Sequence, residues 1–504
     1  MLGKIKGLFT SKNENALAFF NILGPIILNG INFFTVPVFT RMLGTDNYGI
    51  VSLYTTWVQV LTVIMGIQTC GTISVSRSYF EEKELKSYYS SILSLSCITS
   101  VVVTVIVLIF IKPISAFMEM DKLIVCLMLL QSFGAYAINF VTLKHTYSKQ
   151  ASKNFALSVS VSLLSVIISL ILIYMISEFS DRYIGRIVGY CLPNAVIGIV
   201  AAIVILAQGK TFFSKRYWKF CIPLCLPLIF HNLSQILLGQ SDRVMLQRIL
   251  NDNSAVGIYS FAFTFTHILN IIWNALNNTW VPFYYDYVKQ GDVEAIDRKS
   301  RNYIFLYTIL TVGFILLSPE VIKLFASKDF WSGMYLVPVM AFSCYMIFLY
   351  SFPVNFEFYH KKTAVIAAGT FGAGVLNILF NLLLIPVWEI IGAAVATAAS
   401  YAMLFVFHQL IAKYIVKSNY NYKITRFLPG IAAVIAGSAV FYLTMDLWYI
   451  RWAVGATLGI WLIIRVYHNT KYFLRRMTNE NSRRYSGKRR FKGNTAKKRK
   501  TYGR

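Results

Sequence analysis

YYSSILSLSCITSVVVTVIVLIFI, residues 88–111, runs for 24 positions without a charged side chain. About 20 mostly apolar residues are enough to cross the hydrocarbon core of a bilayer as a helix, so this stretch reads as a membrane span. The pattern repeats outward in both directions. Spans are predicted near residues 15–40, 48–73, 88–111, 123–143, 155–177, 183–207 and 220–240. A second set follows near 255–279, 302–325, 332–356, 363–386, 390–412, 427–445 and 449–467. The runs are too long, and too free of period-two alternation, for a transmembrane barrel. The predicted fold class is all-α integral membrane, with about 14 transmembrane helices.

Composition agrees. The 504 residues are 57% hydrophobic and 14% charged, where soluble domains carry roughly 25% charged residues. The formal net charge of +27 would suggest nucleic acid in a soluble protein. Here 15 of the 48 Lys and Arg residues lie in the last forty positions, so the whole-chain value misleads and a nucleic-acid partner is not expected.

The remaining basic residues set the topology. With the N-terminus in the cytoplasm, connections on that side hold 23 Lys and Arg residues apart from the tail, against 9 on the other. The positive-inside rule then places both termini in the cytoplasm of a multi-pass cell-membrane protein. External connections reach about 15 residues at most, too short for a domain. The cytoplasmic segments RSYFEEKELK (77–86) and DYVKQGDVEAIDRKSR (286–301) read equally as interfacial helices or solvated loops. The tail, residues 469–504, ends KRRFKGNTAKKRKTYGR and reads as disordered, lying on anionic lipid headgroups. No cleavable signal peptide is expected, because the first apolar stretch is too long. Seven Cys, all in apolar stretches, read as small buried hydrophobes rather than a disulfide or metal framework.

The chain also repeats itself. Pro25 precedes Arg41 by sixteen residues, with Gly49-Ile50 beyond; Pro227 precedes Arg243 by sixteen, with Gly257-Ile258 beyond. YIGRIVG at 183–189 is echoed by IIGAAVA at 390–396. An even number of spans separates the copies, so they insert with the same orientation, as parallel repeats about an axis along the membrane normal. The expected organisation is two pseudo-symmetric six-helix lobes, 1–207 and 208–420, two additional helices in 421–468, and the tail.

Polar residues inside spans are costly and face a bundle interior or a wet cavity. His267, Asn270, Asn274 and Asn277 recur at spacings of three and four on one face of the eighth span. His231 and Gln235 share a face of the seventh, with Asn232 beside them and Asp242-Arg243 at the outer end. Asn29 and Asn32 stand a turn apart in the first span. Under the repeat Asn29 pairs with His231, Arg41 with Arg243 and Gln59 with His267. These residues are expected to line a hydrophilic cavity, although interhelical hydrogen bonding would use the same residue types. Arg186 lies a turn inside the sixth span, where Asp181 is its expected partner unless it snorkels; Asp242 and Arg243 are expected to pair with each other. Glu320, Glu357 and Glu389 sit near span ends and read as solvated. No phosphate-binding loop, nucleophile elbow or metal cluster is present, so neither catalysis nor a cofactor is expected.

RMLGTDNYGIVSLY (41–54) resembles the signature turn of the lipid-linked oligosaccharide flippases, the polysaccharide biosynthesis transporters. QSDRVMLQRILNDNSAVGIYSFA (240–262), WVPFYYDY (280–287) and NILFNLLLIPVWEIIGAAVATAASY (377–401) resemble later stretches of that family in order. The resemblance extends to about residue 467 and leaves out the tail. It implies two lobes around a cavity, and export of undecaprenyl-pyrophosphate-linked sugar repeat units, with a glycan polymerase and glycosyltransferases as possible neighbours. Cations meeting the pyrophosphate would be Arg41, Arg186 and Arg243, with Arg77 and Lys144 on the inner side. A cation-coupled drug exporter of the same superfamily would need a carboxylate buried at mid-span, and none is evident. A membrane glycosyltransferase or polymerase would need a sizeable external loop, and the connections are too short.

Overall fold

The structure, a computed structural model, describes residues 14–414, 424–462 and 464. All its regular elements are helical. In chain order they are α1 (Glu14–Gly66), α2 (Ile73–Tyr79), α3 (Leu85–Ile109), α4 (Ile111–Met118) and α5 (Lys122–Tyr147). Then come α6 (Ala151–Met175), α7 (Arg182–Gly209), α8 (Lys215–Leu250), α9 (Asn253–Thr266) and α10 (Ile268–Gln290). The last are α11 (Val293–Phe325), α12 (Val337–Tyr359), α13 (Thr363–Tyr414) and α14 (Leu428–Leu443), with residues 448–462 again helical. Short 3₁₀ turns join some of them.

Among the described residues, eleven helical segments are long and apolar enough to cross a membrane. Two of these are more than twice the length one crossing needs, and both bend. The 53-residue α1 breaks at Gly44 (φ 69°), where the missing Cβ permits the left-handed backbone. The 52-residue α13 breaks at Glu389 (φ 48°), a strained conformation for a residue with a side chain. Each thus supplies two of the predicted spans, 15–40 with 48–73 and 363–386 with 390–412, joined without a loop. The eighth predicted span is also interrupted: α9 ends and α10 begins at His267.

Two connections were expected as interfacial helices or solvated loops. Segment 77–86 is the end of α2 and a turn, tied down by an Arg216–Glu84 ion pair of 2.9 Å. Segment 286–301 is divided between α10 and α11, with Gly291 in the left-handed region and the Asp292 carboxylate capping α11 by accepting from Ala295 N. The first is thus a mostly exposed turn, as a solvated loop would be, and the second is mostly helix continuing the adjoining spans. The basic tail lies outside the described residues.

The chain divides into two compact units. One contains residues to Asp297 together with Ser318–Arg426; the other contains Arg298–Leu317 and the residues from Phe427. In the second unit Gly437 of α14 packs on Val312, and Phe305 meets Trp461 edge-on. The first unit holds every candidate site residue. Its main core gathers Leu53, Tyr54 and Leu61 of α1, Val125 and Met128 of α5, Val256 and Tyr259 of α9, and Ala393 and Ala394 of α13.

Candidate functional site

The two repeat copies meet where the second arm of α1 crosses α9. A side-chain carbon on Gly49 would collide with the Asn253 carbonyl, and one on Gly257 with the Thr45 carbonyl, so both positions require glycine. Around this contact Ser52 Oγ donates to Ser260 Oγ at 2.7 Å, and Ser254 Oγ to Thr45 Oγ1 at 2.6 Å. Ser52 and Ser260 are 208 positions apart, as are Gly49 and Gly257. A repeat of that offset would have its axis at this crossing, since equivalent residues of a two-fold repeat touch only on the axis relating the copies.

Two arginines stand beside it. Arg243 is buried; its Nε donates to Ser260 Oγ at 3.0 Å and its guanidinium lies 4.6 Å from the Phe263 ring centroid. Its Nη1 is buried without a hydrogen-bond partner. Arg186 donates through Nη1 to Ser169 Oγ at 2.9 Å and stacks on Phe39, 3.8 Å from the centroid, with Tyr190 on its other flank. Both are seated against α1, Arg186 on Phe39 and Arg243 through Ser260, which meets Ser52. The expected Asp181–Arg186 pair does not form: Arg186 turns inward onto Ser169 and the aromatic rings. Nor does Asp242 pair with Arg243, because both its oxygens are engaged elsewhere.

The predicted polar stripe divides in two. Asn32, Gln59, Gln235, His267 and Asn274 are exposed although each lies within a span. Val101 of α3, Ile167 and Ile171 of α6 and Val200 of α7 are instead exposed apolar side chains, as a lipid-facing surface demands. Asn29 and Asn232 spend their amide hydrogens on carbonyls of their own helices, Pro25 and Leu228, and Asn274 does the same on Asn270. Asn277 accepts from Asn355 Nδ2 at 2.9 Å, tying α10 to α12. Asn270 has a buried Oδ1 without a partner, and His231 is half-buried. Arg41 reaches the Leu324 carbonyl at 3.1 Å, Arg77 the Tyr147 carbonyl, and Lys144 the Gln208 side chain at 3.4 Å. Arg77 and Lys144 are thus both held at the last turn of α5, and Arg41 at the end of α11.

The largest correction concerns carboxylates. Asp242 is 1% exposed. Asn381 Nδ2 donates to its Oδ1 at 2.6 Å; Tyr259 OH and Thr397 Oγ1 donate to its Oδ2 at 2.5 and 2.6 Å. Asn377 completes the cluster, accepting from Ser241 Oγ and Asn381 Nδ2 and donating to Thr397. Asn381 Oδ1 is buried without a partner. The carboxylate thus accepts from three side-chain donors, and Asn381 Oδ1 remains the one unpartnered oxygen of the cluster. The expectation of no buried carboxylate fails because α8 continues past the predicted span end, carrying Asp242 into the packing of α9 and α13. Glu357, expected to be solvated, is fully buried against His408. The i, i+4 spacing of Asn377 and Asn381 was visible in the sequence; their meeting with Asp242 was not. Among the described residues no group of three His, Cys, Asp or Glu side chains converges as a metal site. Cys126 is exposed, whereas Cys221 and Cys225 are buried with their sulfurs 3.4 Å apart.

Comparison with known proteins gives a consistent picture. The model of the family described as polysaccharide biosynthesis protein matches residues 16–287. An uncharacterized membrane protein of Haemophilus influenzae is 21% identical over 359 residues, 69% of this chain and 84% of the relative. The solved structure of the lipid II flippase MurJ in an inward closed conformation superposes with a TM-score of 0.68 at 15% identity, covering 90% of this chain and 99% of that one. An inward-facing multidrug resistance MATE family transporter of the MOP superfamily gives 0.58 at 14%, covering 84% and 99%.

Proposed function

We propose that this chain, which belongs to the polysaccharide biosynthesis protein family, moves lipid-linked oligosaccharide repeat units across the cell membrane by alternating access. The observation that carries the reading is the Arg186–Arg243 pair. Two guanidinium groups held flat by aromatic rings, one with a buried N–H that no protein atom accepts, are prepared for an anionic oxygen-rich head group. Guanidinium donors match phosphate oxygens in charge and geometry. The exposed Asn32, Gln59, Gln235, His267 and Asn274 supply polar surface of the kind a sugar needs.

The cycle follows from the symmetry. The cargo enters from the cytoplasmic leaflet while the crossing of α1 and α9 holds the outer side closed. The halves then rock about that crossing and release the head group outside, both termini remaining in the cytoplasm. No bond is made or broken.

The test replaces Arg186 and Arg243 with Gln, singly and together, in a strain lacking the native gene, and measures surface glycan. Export should fall in each single variant and vanish in the double; wild-type export by the double variant refutes the reading. Asp242 favours a second reading, a cation-coupled exporter of small molecules. That reading requires drug tolerance, not surface glycan, to follow the gene.

A further inference from the structure

The second repeat contains a buried ionisable pair that the cargo site does not use. Glu357 stands in the last turn of α12 and His408 on the second arm of α13, both 0% exposed. His408 Nδ1 lies 3.0 and 2.9 Å from the two Glu357 oxygens. A ring nitrogen facing two carboxylate oxygens must share a hydrogen with them, since two lone pairs in contact repel. His408 Nε2 points the other way and has no hydrogen-bond partner. What covers it is Gly369 on the first arm of α13, where a side-chain carbon would lie 2.9 Å from Nε2 and 2.7 Å from the Phe407 ring.

The proton count follows from charge. With one hydrogen shared between Nδ1 and the carboxylate and Nε2 bare, the pair carries a net charge of −1 with no cation in contact. An uncompensated charge in the interior is far more expensive than a neutral pair. With a second hydrogen on Nε2 the pair is neutral. The buried geometry thus selects the form holding one additional proton, and the orphaned Nε2–H is the smaller penalty. The titratable groups facing the pair are Tyr350 of α12, stacked on the imidazole at 6.1 Å, and behind it Tyr401 of α13, stacked on Tyr350 at 6.5 Å. From α8 comes Leu238, an apolar neighbour of both tyrosines. The cations nearest in sequence, Lys361, Lys362 and Lys413, are exposed.

We propose that Glu357 and His408 form a proton-binding site, one per chain, which the first arm of α13 closes over Nε2 and opens to water when the arms of α13 part. The arms part at the Glu389 bend, the break that joins them. Lifting Gly369 exposes Nε2, the proton leaves to water, and the remaining charge is hydrated; reclosing demands a proton again. The site is separate from the Asp242 cluster, which has its own donors. Its role as a driver of cargo movement rests on the transport reading above; its protonation does not.

The experiment uses full-length protein in lipid nanodiscs with ¹⁵N-labelled histidine, and six imidazoles are to be assigned. At neutral pH the His408 signal, identified by its loss in H408Q, should report hydrogens on both nitrogens; in E357Q it should report one. If H408Q does not fold, the signal that changes in E357Q identifies the site. A singly protonated His408 in the wild type, or a doubly protonated one unchanged in E357Q, overturns the proposal. This measurement needs no cargo, so it decides the site even if glycan export fails as the function. Unaltered export by E357Q overturns the driving role.

Discussion

The two halves of the first unit bury polar groups in different ways. In the first half, among the described residues to Gly209, every fully buried polar side chain is neutral. Its centre is a hydroxyl web: Ser96 Oγ lies 2.7 Å from Thr69 Oγ1 and 2.8 Å from Tyr136 OH, Thr72 meets Tyr88 at 2.7 Å, and Tyr54 OH donates to Gln131 at 2.7 Å. The second half buries Asp242, Arg243, Glu357 and His408. Duplicated helices therefore carry neutral glue on one side and charge on the other. Neutral webs tolerate loss of a member, whereas buried charge requires its complete partner set. Apart from Arg186, which is only half-buried, the charged groups inside the first unit therefore belong to its second half.

Breaking the charged cluster should have the largest effect. Asp242→Ala strands the hydrogens of Tyr259, Thr397 and Asn381 in the interior, a loss on the order of 3–5 kcal/mol. A thermal melt of purified protein measures it, and an unchanged midpoint would remove the energetic basis of the contrast. Gly49→Val acts on the seam between the halves. Its side chain meets backbone at Asn253, which cannot yield as a side chain could, so about 1–3 kcal/mol is lost and the crossing is held apart. A disulfide between cysteines introduced at Ser52 and Ser260 should form readily in the parent and poorly in this variant. The smallest effect is expected in the neutral web: Tyr136→Phe removes one hydroxyl shared with Ser96 and Thr69, costing about 1 kcal/mol. A shift as large as that of Asp242→Ala would erase the distinction between the halves.

Much of the site was legible and part was not, for a physical reason. His267 and Gln59, paired in the sequence repeat, are both exposed within spans. Arg186 was found as a cation inside a span, yet its seat on Phe39 was not, because Phe39 lies on a different helix. Glu357 was misread from its position near a span end; only the return of α13 places His408 on top of it.

The amino-acid sequence alone determined the all-helical membrane class and where the apolar runs lie. A membrane span satisfies its backbone hydrogen bonds within itself, so each apolar run is a local decision, recorded in consecutive residues. The environment of each charge was decided only by tertiary structure. Asp242 takes its partners from residues 17, 139 and 155 positions away. A carboxylate's fate in hydrocarbon depends on which donors reach it, and no run of neighbours in the chain records that.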